Sequence, residues 1–188
     1  AGVTSPSQDE ILIKHIVNHA GKIPGMYDDI AHVIAPRSAQ TGPALLMMAR
    51  FGDVFLDSQW ENGSDGSVYN YELIYYPTTT VDGNPESPKL PQPDNVTGVD
   101  IRGLGDDKEV YRWFYSLENN RREDDYERFM KFCTNFSAPT AQLVEKAKEV
   151  MDVDEWMRTF CIYSLCGVRD AYTYGNYHNL KIYIRPSD

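Results

Sequence analysis

Apolar positions recur at helical spacing near the start of the chain, where Leu12, Ile13, Ile16, Val17 and Ala20 form one stripe that ends at Gly21. Ser7 and Glu10 stand at capping-box spacing, a hydroxyl and a carboxylate three residues apart, so a first helix is predicted there. The pattern then changes. Ile30 to Ala35 and Ala44 to Phe51 are short apolar stretches separated by Pro36 and Gly42-Pro43, which suits two strands joined by a loop. Asn62-Gly63-Ser64-Asp65-Gly66 is turn chemistry, because Asn and Gly accept positive φ at low cost. Val68 to Tyr76 is rich in β-branched and aromatic residues, and Tyr69, Tyr71, Leu73 and Tyr75 share the strand face expected to meet a core.

Residues 77–100 shift to Pro, Thr, Asp, Asn and Gly. Proline removes ladder donors and blocks helix interiors, so a long surface loop is predicted. The chain then turns helical. Arg121 to Asn135 carries Tyr126, Phe129, Met130 and Cys133 on one stripe, and Ala141 to Met151 places Leu143, Val144, Ala147, Val150 and Met151 on one side. Asp152 and Glu155 open a further helix that runs through Leu165 to Gly167 and is apolar over most of its circumference, which predicts a central, buried position. A strand begins near Leu180 and enters a turn after Ile184. The class is α+β, with a β-rich N-terminal part and a helical C-terminal part. A start at Ala1 rather than Met, and a terminal strand and turn with no later strand to receive them, predict that residues 1–188 are one domain truncated at both ends.

Charge and composition narrow the function. The 28 acidic residues against 18 basic ones give a formal charge of -10, which argues against a nucleic-acid partner, since a phosphate backbone rewards a basic surface. No apolar run approaches the roughly 18 residues of a membrane span, so membrane insertion is not expected. A hydrophobic content of 41% and 12% aromatics, with 13 tyrosines, supply a substantial core.

Most groups able to do chemistry also have ordinary structural readings. Cys133, Cys161 and Cys166 lack zinc-ligand spacing and read as small core residues. Asn62, Asn95 and Asn135 begin Asn-x-Ser/Thr triplets. His15 and His19, four apart, can face one side of the first helix as metal ligands, but no carboxylate or third His accompanies them nearby in sequence. Glu123-Asp124-Asp125 reads as a solvated helix face, and the tyrosine-rich strand reads as core or as a sugar-stacking platform. The most informative stretch is Gly167 to Tyr183. It leaves a helix, concentrates Asp170, Asn176, His178 and Asn179 in a loop, and enters a strand. An Asp just past a helix and an Asn before a strand match the phosphoryl-transfer loop, where Asp accepts the proton of the attacking hydroxyl and Asn binds Mg2+.

Several segments in succession resemble the CotH family of secreted kinase-like proteins. They are Ile23 to Asp29, Phe51 to Asp57, Tyr71 to Pro77, Asn119-Asn120-Arg121 with Asp124-Asp125-Tyr126, Met151 to Met157, and Cys166 through Tyr183. The resemblance implies a partial, atypical protein-kinase-like fold and ATP- and Mg2+-dependent phosphorylation of Ser or Thr in secreted or surface proteins, hence an extracellular or cell-envelope location. It implies Asp170 as catalytic base and Asn179 as metal ligand. Asn176 remains a competing ligand, because Asp170 and Asn179 are nine residues apart against about five in kinase loops. Arg37 is the candidate phosphate contact. The fragment is expected to be inactive alone; the alternative is a non-catalytic extracellular pseudokinase or a surface- or carbohydrate-binding module.

Overall fold

The computed structural model describes residues 7–71, 74–76, 80–84, 86–88, 95–97, 100–175 and 179–186. It is α+β, and its contacts divide the chain into two compact units, Ala1–Ser64 with Asp154–Gly167, and Asp65–Val153 with Val168–Asp188.

In the first unit, helix α1 (Ser7–His19) is followed by an antiparallel hairpin of β1 (Asp29–Val33) and β2 (Gly42–Met47), with Ile30 opposite Leu46. Lys14 reaches from α1 to Asp28 at 2.5 Å, and Asp28 also accepts the Ala49 N–H at 3.1 Å. That carboxylate, wholly inaccessible, is thereby both paired and hydrogen-bonded, the condition under which burying a charge is tolerated. The first helix and the two strands agree with the sequence pattern. Phe51 does not continue the second strand: it precedes α2 (Asp53–Gln59), a helix the periodicity does not reveal because it is only two turns long. Leu56 on α2 is fully buried.

The turn after α2 has a strict requirement. A Cβ on Gly63 would stand 2.1 Å from the Leu56 carbonyl oxygen, which is backbone and cannot rotate aside. Gly63→Ala is therefore expected to cost about 3 kcal/mol, the upper end of overpacking penalties, and a chemical-denaturation midpoint unchanged from wild type would refute the close approach.

Helix α6 (Val153–Leu165) completes this unit, and here the sequence expectation fails. None of its residues is buried; Cys161 is exposed and Leu165 is 81% exposed. Within the unit it meets the end of α1, where Arg158 donates to the carbonyls of Gly21 and Lys22 and a Cβ at Gly21 would lie 2.4 Å from Ile162. One helix end cannot cover a helix that is apolar on most sides.

The second unit holds a three-stranded antiparallel sheet in the order β6-β3-β7, made from β3 (Ser67–Tyr71), β6 (Tyr115–Leu117) and β7 (Leu180–Ile184). Tyr69 lies opposite Leu117 on one side and Ile182 on the other. The final strand therefore has a partner, β3, which precedes it by more than a hundred residues. Strands and helices are not segregated by half, because the C-terminal half supplies two of these three strands.

Against the sheet stand α3 (Lys108–Phe114) and α4 (Glu127–Phe136), and α5 (Thr140–Lys148) packs on α4. Helix α3 starts at Asp107, whose side chain accepts the Glu109 N–H at 3.0 Å. The expected helix from Arg121 is shortened. Of its predicted apolar stripe Tyr126, Phe129 and Cys133 are buried and Met130 is half-buried, but the helix begins only at Glu127. Glu123-Asp124-Asp125 is therefore a turn rather than a helix face; Asp124 has φ +49 and Asp125 accepts the Glu127 N–H. Asn119 and Asn120 tie down β3: Asn119 accepts the Val68 N–H at 2.8 Å and both amides donate to the Gly66 carbonyl. The 77–100 stretch also departs from expectation, since β5 (Asn95–Thr97) pairs antiparallel with β4 (Ile74–Tyr76).

The acidic turn makes a testable electrostatic contact. Asp124 accepts from Lys108 at 2.7 Å and from Arg112, and these bonds hold its carboxyl below the usual range. A depressed folded pKa contributes stability that is present above the unfolded value and lost as pH falls through the folded one. Carboxyl NMR should show Asp124 titrating below an ordinary Asp and moving upward in Lys108→Ala; coincident curves would discount the pair.

The core is built from tyrosines because their hydroxyls find backbone partners. Tyr69 donates to the Asp125 carbonyl, Tyr126 to that of Tyr115 at 2.8 Å, and Tyr115 to that of Asp100 at 3.1 Å, while Tyr111 accepts the Leu104 N–H at 2.6 Å. Each ring buries a large apolar area and each polar tip fastens a loop.

Candidate functional site

Helix α6 ends at Leu165, and Gly167, two residues on, adopts φ +67, as a helix-terminating glycine does. After it, the segment that bears Asp170 is fixed by its neighbours. Ala171 is buried, and Tyr172 to Tyr174 form one 3-10 turn closed by the Gly175 N–H on the Tyr172 carbonyl at 3.1 Å. Gly175 ends that turn with φ +81. Asn179 then enters β7 with φ +54, a left-handed conformation that Asn accepts more readily than most residues.

Asp170 and Asn179 come together across this loop. The Asn179 amide donates to the Asp170 carbonyl at 3.1 Å, so Nδ2 closes the loop and Oδ1 keeps its acceptor lone pairs. Both residues are exposed. Asn176 and His178 lie outside the described residues. Arg37 is exposed and precedes the 3-10 turn Ser38–Gln40 in the first unit, whereas Asp170 and Asn179 belong to the second.

Tyr172 anchors the loop from below. Its hydroxyl donates to Asp100 Oδ1 at 2.5 Å and its ring meets Tyr71 edge-on, with centroids 6.5 Å apart. Burial first, and the adjacent Asp100 carboxylate second, push the Tyr172 hydroxyl well above its usual pKa, so it remains a donor. Nothing in the linear sequence links Tyr172 to Asp100; the only local signal is Ala171-Tyr172, an apolar pair inside a polar loop. Thr173 adds a second unforeseen feature, a buried hydroxyl with no hydrogen-bond partner among the described residues. Such an orphan is the kind of group that a ligand or water satisfies.

Mg2+ takes hard oxygen ligands and usually relies on one or two protein side chains together with substrate phosphates and water. The amide oxygen of Asn179 fits that donor chemistry in kind. Among the described residues no group of three or more His, Cys, Asp or Glu is arranged to hold a metal.

Other sequence candidates take structural roles. Tyr69 and Tyr71 are 2% and 0% exposed, and the Tyr69 ring stacks on Phe129 at 4.1 Å, so neither offers a face to a sugar. Cys133 is buried, and burial raises its thiol pKa; Cys166 is half-buried and Cys161 exposed, so only one of the three cysteines is a core residue. Asn135 is buried, its amide donating to the Lys146 carbonyl and to Glu149, which excludes it as a glycan acceptor in the folded chain. Among the described residues no helix is long and apolar enough to cross a membrane. No family model, curated protein or solved structure matches this chain.

Proposed function

We propose that the chain is a CotH-like phosphotransferase domain of atypical kinase fold, acting on Ser or Thr of secreted or cell-surface proteins. The observation that supports this reading is the hydrogen bond from Asn179 to the Asp170 carbonyl, which joins two residues that the loop pattern assigns to base and metal ligand. ATP with Mg2+ supplies the phosphoryl group and neutralises the charge that develops on its oxygens. Asn179 Oδ1 would hold the ion, with Asn176 as the competing ligand.

Asp170 accepts the proton of the attacking hydroxyl as that oxygen bonds to the γ-phosphorus and the bond to the ADP oxygen breaks. Asn179, by fixing the Asp170 backbone, holds the carboxylate at a stated place in the loop. Tyr172 holds the loop to Asp100. The test is incorporation of labelled phosphate by the full-length protein with ATP and Mg2+, wild type against Asp170→Ala; equal incorporation removes Asp170 from the mechanism.

A further inference from the structure

Two imidazoles are already paired on the exposed face of α1. His15 and His19 lie one helical turn apart, both exposed, with ring centroids 3.9 Å apart and planes 21° from parallel. Side chains at i and i+4 share a helix face, so the spacing brings the rings together without distorting the backbone. The second observation concerns tautomer. His19 Nδ1 lies 2.9 Å from the His15 carbonyl oxygen. A carbonyl only accepts, so Nδ1 carries the proton and Nε2 of the neutral ring carries the lone pair. Metal-bound histidines characteristically hold their other ring N–H on a carbonyl or carboxylate in this way, which fixes the ring and raises its basicity.

We propose that His15 and His19 form a two-imidazole site for a divalent transition ion of the copper(II) type, with water completing the coordination. The geometry selects the class. Imidazole lone pairs lie in the ring plane, so the nearly parallel rings chelate once the exposed His15 ring turns its lone pair toward His19 Nε2, each nitrogen then about 2 Å from one ion. A site with only two imidazoles and open positions suits a tetragonal ion better than a closed tetrahedral one, and copper(II) binds nitrogen ligands most tightly in its series. The proposal is independent of the phosphotransferase reading, since Mg2+ prefers oxygen ligands.

The test uses the whole folded chain titrated with copper(II) chloride alone and followed by calorimetry and electron paramagnetic resonance. One ion per chain is expected, with hyperfine coupling from two imidazole nitrogens. His15→Ala and His19→Ala should each weaken binding by about tenfold or more, since even changes outside the ligand set act on that scale. Both positions are exposed, so neither substitution threatens the fold, and His32→Ala, on β1, should leave binding unchanged. Absence of binding, binding indifferent to either substitution, or loss caused by only one of the two would each overturn the site.

Discussion

Replacing Phe129 by Ala should lower the stability of the chain by about 3–5 kcal/mol, the usual range for truncating a buried phenylalanine. Phe129 is 0% exposed, and its ring stacks on Tyr69 at 4.1 Å, meets Tyr115 edge-on at 4.9 Å and touches the rings of Tyr126 and Phe132. The substitution removes the ring on which sheet and helix α4 converge, and the surrounding tyrosines cannot collapse into the space without giving up the hydroxyl bonds that hold Asp125, Tyr115 and Asp100. Since native domains are stable by only about 5–15 kcal/mol, this is a large share of the total. Denaturant titration monitored by tyrosine fluorescence measures it. A loss below about 1 kcal/mol, comparable to that of the exposed control Trp113→Ala, would show that the aromatic cluster does not carry the second unit.

The second large effect is expected at Asp170. If it is the base, Asp170→Ala should reduce phosphate incorporation by about 100- to 10,000-fold, the range for losing a positioned proton acceptor. Stability should hardly change, because the side chain is exposed. The companion variant is Asn179→Gly, which tolerates the φ of +54 and removes only the amide that reaches the Asp170 carbonyl. It should lower incorporation and also weaken the Mg2+ dependence, whereas a residue that merely shaped the loop would leave the Mg2+ dependence as it was. Wild-type incorporation in both variants would sink the phosphotransferase assignment.

The outcomes along the chain follow from the range of the forces involved. The first helix, the Tyr126, Phe129 and Cys133 stripe, and the Tyr69 and Tyr71 core face were legible because side-chain periodicity is a local consequence of backbone geometry. Helices α2 and α3 were not, because seven residues give too few turns to establish a period. Strand β6 was missed for the same reason: three residues acquire strand character only by pairing with β3. The helical start expected at Arg121 failed because Lys108 and Arg112, from another helix, capture Asp124 in a left-handed turn. Helix α6 shows the reverse limit. Apolar content predicted burial, but burial is decided by what packs against a helix.

The candidate site divides along the same line. The residue types and order, Asp170, then Gly175, then Asn179 before a strand, stand in the sequence and suffice to mark the loop. The tie from Tyr172 to Asp100, the Thr173 hydroxyl without a partner among the described residues and the bond from Asn179 to Asp170 do not, since each depends on where other segments come to rest.

By itself, then, the sequence determined the α+β class and an acidic chain with enough aromatic surface for a core, and it set apart the polar loop after Gly167 as a candidate. Only the tertiary structure decided that β7 returns to β3, that the tyrosines serve both as core and as loop fasteners, and that α6 buries none of its residues. Local preferences extend over a few residues and can be read along the chain. Pairing and burial join residues far apart in sequence, so they are fixed only when the segments meet.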